Sequence, residues 1–104
     1  MTPKDFDAFE DSLNNSEPNQ DWTPALKSLW YAAKSDWEAS HSIAQDLHTP
    51  FGSWIHAHLH RVEGDKFNAQ YWYSQAGKRY CNSSFNDEVK EIVTAFLVNF
   101  YKVM

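Results

Sequence analysis

Apolar side chains recur along most of the chain at intervals of three and four residues, whereas strict alternation at every second residue is nearly absent. Toward the end of the sequence, for instance, Val89, Ile92, Val93 and Phe96 would fall on one face of a helix. This spacing is typical of amphipathic helices that pack on a common core, and it gives no support for a sheet. The hydrophobic pattern therefore predicts an all-α protein.

Capping residues divide this pattern into six helices. The dipeptide Thr-Pro occurs at positions 2, 23 and 49. Threonine can accept hydrogen bonds from free helical amides, and proline suits the first helical position. Ser35 and Glu38 have the spacing of a capping box, while Gly64 and Gly77 are expected to end helices. The predicted helices cover roughly residues 3–13, 24–34, 36–47, 50–63, 65–76 and 85–102.

Two pairs of these helices are joined by connections of only one or two residues. Such short loops force consecutive helices to fold back on each other, so we expect antiparallel hairpins at 24–47 and 50–76. In the second hairpin, Asp65, Ala69 and Tyr73 resemble the second half of a tetratricopeptide unit. The predicted architecture is a short, right-handed, tetratricopeptide-like stack in which the last helix forms a C-terminal cap.

The net charge of -5 is confined to the first part of the chain. Residues 1–21 carry all of this excess, and residues 22–104 contain equal numbers of acids and bases. We therefore divide the chain into an acidic N-terminal helix with its linker, 1–21, and a single helical-hairpin domain, 22–104. Phe6, Phe9 and Leu13 form an apolar stripe on the N-terminal helix. This stripe favours docking on the body of the chain over recognition of a partner.

Composition argues against several classes of function. The chain has no block of basic residues, which disfavours binding to nucleic acid or to an anionic membrane surface. Its longest apolar run is too short to cross a bilayer, and the N-terminal residues lack the apolar core of a signal peptide. Cys81 is the single cysteine, so an internal disulfide is impossible and a reducing cytoplasm is the expected location.

One segment also resembles a known family. The residues from Trp54 to Gly77 read WIHAHLHRVEGDKFNAQYWYSQAG, and a D-W-E-A sequence precedes them at Asp36 to Ala39. They are similar to a family of small bacterial proteins that share a core of the form W-x-H-A-x-L-H-R-x-E-G-D-x-x-N-A-x-Y-W-Y. The resemblance covers about residues 35–77. It implies kinship and supports the helical interpretation, and it implies no catalytic residues.

Two of the five histidines have a spacing that suits metal binding. His56 and His60 stand one helical turn apart on the same face, and Glu63 lies three residues further on. The H-E-x-x-H motif is absent, because an alanine replaces its glutamate, and a further ligand would have to come from His41 or His48. We favour structural packing among aromatic side chains. Metal binding and an acid–base or organic-ligand role stay open as alternatives.

Arg61, Trp54 and Trp72 are further candidates for binding. Arg61 could clamp a carboxylate or a phosphate, although an ion pair with an acid on a neighbouring helix is the favoured interpretation. The run Tyr71-Trp72-Tyr73 spans most of a helix circumference, and Trp72 is the residue expected to face a groove or a partner. Trp54 belongs to the same predicted helix as the histidine pair.

The function that these features favour is protein interaction, through a groove lined by helix 50–63 or through self-association as a homodimer. The alternative is a small ligand-binding protein or enzyme built on the histidine segment. No residue is assigned to catalysis, and no cofactor or metal is assigned. The residues predicted to bind a partner or a ligand are Trp54, His56, His60, Arg61, Glu63 and Trp72.

Overall fold

The structure, a computed structural model, describes residues 1–103 and is helical without any strand in that range. The prediction of an all-α protein is confirmed. Met104, the last residue of the predicted domain, lies outside the described residues. No helix within 1–103 combines the length and the apolar character needed to cross a membrane. The helices are α1 (Phe6–Ser12), α2 (Pro24–Ala33), α3 (Trp37–Ala44), α4 (Pro50–Val62), α5 (Lys66–Ala76) and α6 (Phe85–Lys102).

Side chains that cap the helices explain most of the observed boundaries. The hydroxyl of Thr49 accepts a hydrogen bond from the amide of Gly52 at 3.0 Å, where α4 was expected to begin. The hydroxyl of Ser84 accepts from the amide of Asp87 at 3.0 Å and starts α6 in the same way. The carboxylate of Asp65 caps α5. These three helix starts follow from local sequence alone.

Two other helix starts differ from the prediction. α1 begins at Phe6 rather than at Pro3, because the Asp5 carboxylate accepts from the amide of Ala8 at 2.9 Å and fixes the first turn there. The capping box predicted at Ser35 is also wrong. Its backbone is left-handed, with a φ of 63°, so it closes α2, and the aspartate that follows it caps α3.

The helices pack as two sequential pairs, and the last helix contacts both. α2 packs against α3 and α4 packs against α5, while contacts between α3 and α4 join the two pairs. α6 lies against α2 and α4, where Ile92 and Val93 enter a core shared with Leu26, Trp30 and Ile55. α5 packs mainly against α4, so its opposite face is uncovered.

The N-terminal helix docks on the body of the chain, as its apolar stripe predicted. Phe9 is fully buried, and its ring centroid lies 5.9 Å from that of Trp22. The indole nitrogen of Trp30 donates a hydrogen bond to the carbonyl oxygen of Ser12 at 3.2 Å. The acidic segment is therefore held against the neutral body through aromatic packing.

Candidate functional site

Three histidines from two helices meet at the contact between α3 and α4. His56 and His60 lie one turn apart on α4, and their rings stack with centroids 4.9 Å apart. His41 reaches them from α3, and its Nε2 lies 2.9 Å from the Nε2 of His56. One ring nitrogen from each histidine lies within 4.8 Å of those from the other two. We call these three residues the histidine cluster.

Two tryptophans cover the faces of the cluster. The ring of Trp37 stacks on His41 with centroids 4.6 Å apart, and the ring of Trp72 stacks on His56 at 4.0 Å. Trp37 is fixed in place because its indole nitrogen donates to the carbonyl oxygen of Leu59 at 2.6 Å. The imidazoles are therefore held by aromatic packing on two sides, which limits their rotation.

A carboxylate orients the third histidine. The Oε1 atom of Glu63 lies 2.5 Å from the Nδ1 of His60, so this nitrogen carries a hydrogen that it donates to the carboxylate. In neutral imidazole only one ring nitrogen bears a hydrogen. The Nε2 of neutral His60 is then left with a free lone pair. A histidine that binds a metal is commonly oriented by a carboxylate in this way.

Two of the three imidazoles, those of His41 and His56, favour the uncharged form. Burial, followed by the positive charges of His41 and His60, lowers the pKa of His56 from 6.5 to about 4. The pKa of His41 is lowered by burial and by His60, with partial compensation from the negative charge of Glu63. Neutral imidazole is the form that binds a metal ion.

A second polar cluster lies around Glu88, whose side chain is completely buried. Its Oε1 lies 2.6 Å from the Nδ1 of His58 and accepts from the Nε of Arg61 at 3.1 Å. Its Oε2 accepts from the hydroxyl of Tyr73 at 2.5 Å. We call these four residues the Glu88 network. It ties α4, α5 and α6 together and gives Arg61 the ion pair that the sequence favoured.

Every group in the Glu88 network stabilises the charge of the carboxylate. Burial alone would raise the pKa of Glu88, but the hydrogen bonds from His58 and Tyr73 and the charges of His58 and Arg61 keep it below its usual value. Burial and the carboxylate together raise the pKa of Tyr73. The network is a closed set of paired polar groups, with the character of a structural element.

The residues proposed from the sequence divide between these environments. His56, His60, Glu63 and Trp72 come together in the histidine cluster and its immediate surroundings. Arg61 points to the Glu88 network, because successive residues of a helix are rotated by about 100°. Trp54 is 4 % exposed and packs in the core. The structure therefore separates these last two side chains from the histidines.

No family model matches this sequence. No curated protein and no solved structure matches it either. The similarity of residues 35–77 to a family of small bacterial proteins stays a prediction, and the function has to be argued from geometry.

Aromatic side chains are exposed on the uncovered face of α5. Phe67 is 83 % exposed and Tyr71 is 53 % exposed. Trp72, which the sequence assigned to a groove or partner, turns instead toward His56 and covers it. The exposed aromatic surface of α5 is therefore formed by Phe67 and Tyr71 and not by Trp72.

Sequence reasoning left two of the residues that complete the clusters, His41 and Glu88, without a definite role. His41 was only one of two possible additional ligands, and its i, i+4 relation to Trp37 was the signal that both share a face of α3. Glu88 falls on the apolar face of α6, four residues before Ile92. A carboxylate at a core position is itself a signal, because burial requires partners for its charge.

Proposed function

We propose that the protein binds one divalent transition-metal ion through His41, His56 and His60. The observation that carries this proposal is the convergence of three imidazole nitrogens within 4.8 Å of one another. A tetrahedral ion with metal–nitrogen bonds of about 2.0–2.1 Å needs ligand nitrogens roughly 3.3 Å apart. The separation of 2.9 Å between the nitrogens of His41 and His56 lies close to that value, and the nitrogen of His60, which lies within 4.8 Å of both, would complete the set by moving toward them.

The ligand set selects the class of metal. Imidazole suits zinc, copper, nickel and iron, whereas calcium and magnesium prefer oxygen ligands. The Sγ of Cys81 lies 3.0 Å from the hydroxyl of Ser83 in the connection before α6, and it is not among the residues that could share an ion with these histidines. An all-nitrogen set held partly buried therefore favours zinc or a neighbouring divalent ion.

The competing interpretation is that the histidines only pack against the tryptophans. Packing accounts for the stacked rings, and it does not require three ring nitrogens to face one another. Two neutral imidazoles in contact through their Nε2 atoms share a single hydrogen. When this hydrogen moves to the Nδ1 of its own ring, both Nε2 lone pairs become available to an ion. Orientation of His60 by Glu63 supports metal binding in addition, because it leaves Nε2 free.

The test is a zinc titration of metal-free protein prepared without a histidine tag. We expect binding of one equivalent of zinc and a rise in the melting temperature. At free zinc 100 times the dissociation constant, the stabilisation is about 2.7 kcal/mol. Binding should be lost in His56→Ala and retained in His48→Ala, since His48 is exposed and outside the cluster. Zinc at many equivalents without a saturable site would reject the proposal.

Stability has to be checked for the same variants, because His56 is also part of the packing. His56→Ala should keep the helical circular dichroism spectrum of the unaltered protein at neutral pH. Should it fail to fold, His41→Ala offers a second test at a more exposed position of the cluster. Zinc binding that is equal in His41→Ala and the unaltered protein would contradict the assignment.

We propose protein interaction as a second function, which the exposed aromatic pair on α5 supports. Phe67 and Tyr71 present apolar surface on a helix that has only one major neighbour. A tetratricopeptide-like stack with a cap formed by α6, acting in the bacterial cytoplasm, would use such a face for a partner or for a second copy. Expected results are a concentration-dependent dimer in sedimentation and a monomer for the Phe67→Ser, Tyr71→Ser double variant.

Because both substituted side chains are exposed, the double variant should retain the melting temperature of the unaltered protein. A monomer at all concentrations for the unaltered protein would reject self-association through this face. A dimer that persists in the double variant would place the interface elsewhere and reject the same proposal.

A further inference from the structure

We propose that the metal bound by the histidine cluster keeps one exchangeable coordination position, which takes water or a small anion. This inference rests on the proposed metal binding and concerns how the site is completed. Structural zinc sites are closed by four protein ligands, whereas reactive sites use three protein ligands and leave one position open. The number of protein ligands within reach therefore decides between the two kinds of site.

Only three protein ligands are in place. Among residues 1–103, no fourth histidine, cysteine, aspartate or glutamate has a ligand atom within 4.8 Å of all three cluster nitrogens. Glu63 and Asp65 approach His60 as a separate group. His48, the other candidate from the sequence, is exposed and does not join the cluster.

Glu63 is the nearest carboxylate, and its position suits orientation rather than coordination. Its Oε1 is hydrogen-bonded to the Nδ1 of His60 at 2.5 Å. Since Nδ1 is occupied by this hydrogen bond, Nε2 is the nitrogen of His60 that stays available to a metal, and it lies on the opposite side of the imidazole ring from Glu63. Glu63 therefore acts as a positioning residue, and the fourth ligand must come from outside the chain.

The surroundings of the cluster leave a route for such a ligand. Trp37 and Trp72 cover ring faces of His41 and His56, and an indole offers no lone pair to a metal. His41 and His60 are only partly buried, so the cluster is not sealed from solvent. With a metal bound, we expect water to take the fourth position and a small anion to be able to replace it.

An open position would give the site reactive potential. A divalent zinc ion held by three histidines lowers the pKa of a bound water molecule toward neutrality. The hydrogen bond from His60 to Glu63 increases the basicity of one ligand. The ligands that such a centre accepts are water, hydroxide and small monodentate anions.

Cobalt(II) in place of zinc provides the test, because its visible absorption reports the coordination number and changes when a ligand is exchanged. We expect one equivalent of cobalt to give an intense visible spectrum, and thiocyanate to shift that spectrum with saturation at one anion per cobalt. The apparent affinity for thiocyanate should fall as pH rises, because hydroxide competes for the same position. His48→Ala should behave like the unaltered protein.

The outcomes separate the two proposals. A cobalt spectrum that thiocyanate does not change at any concentration would overturn the open position and leave metal binding standing. Failure of cobalt and zinc to bind at all would overturn both. A thiocyanate-induced shift that is retained in His56→Ala would overturn the assignment of the open position to this cluster.

Discussion

The two faces of α4 carry polar clusters of opposite character. On one face, the Glu88 network surrounds a buried negative charge with an arginine, a histidine and a tyrosine, and each polar atom of the carboxylate has a partner. On the other face, the histidine cluster brings together three groups of the same kind, and two of them are driven toward the neutral form. Closed complementarity is typical of a structural element, whereas the convergence of like groups is the observation on which the proposed metal binding rests.

The largest effect should come from the closed cluster. Glu88→Ala leaves the buried His58 and the partly buried Arg61 without their carboxylate partner, and removal of one partner from a buried ion pair costs about 3–5 kcal/mol. We expect this loss in the free energy of unfolding measured with urea. Glu91→Ala is the matched control, because Glu91 is exposed on the same helix and should change stability by less than about 0.5 kcal/mol. A similar effect in both variants would mean that the network is not structural.

The next effect is a pH dependence that belongs to the histidine cluster. The pKa of His56 is lowered from the usual 6.5 to about 4 in the folded state, so the unfolded chain binds more protons between those values. Stability should therefore be constant above pH 6.5 and fall by about 3 kcal/mol as the pH drops to 4. The measurement is urea unfolding of metal-free protein at several pH values.

The variant His56→Phe tests whether His56 causes this pH dependence, because it keeps an aromatic ring beside Trp72 and removes the titrating group. Its stability should depend less on pH between 6.5 and 4 than that of the unaltered protein. Glu88 has a pKa lowered from 4.5, so its contribution is lost from about pH 4.5 downward, as the carboxylate takes up a proton. An unchanged slope in His56→Phe would show that other groups cause the pH dependence.

The smallest of the three effects concerns Glu63. Glu63→Gln keeps a hydrogen-bond acceptor but removes the negative charge beside His60, and loss of an outer partner of this kind weakens metal binding by about 10–100-fold. Competition with a zinc chelator measures the change, and the melting temperature of the metal-free protein should stay nearly constant because Glu63 is exposed. Glu38→Gln, another exposed acid, should bind zinc as the unaltered protein does.

Local signals in the sequence were sufficient for most of the fold. Thr49, Asp65 and Ser84 cap helices through atoms three residues away, so their effect can be predicted without knowledge of the tertiary structure. The wrong prediction of a capping box at Ser35 also concerns a local signal, which was assigned to the wrong helix. Its left-handed backbone closes the preceding helix through contacts that a pattern search for the following helix does not consider.

The sequence predicted only those contacts of the site that lie within a single helix. The pairing of His56 with His60 and the approach of Glu63 follow from α-helical geometry. The contribution of His41 depends on how α3 docks on α4, and the link between His58 and Glu88 joins positions 30 residues apart. Such contacts are set by packing of the whole core, which periodicity in the sequence does not specify.

The origin of His41 in a separate helix has a kinetic consequence. α3 has only eight residues, and short surface helices open locally far more often than the whole chain unfolds. Each opening of α3 would remove one of three metal ligands while His56 and His60 stay in place on α4. If the ion binds as proposed, we expect its residence time to depend on the opening rate of α3, and bound zinc to slow amide hydrogen exchange in this helix more than in α6.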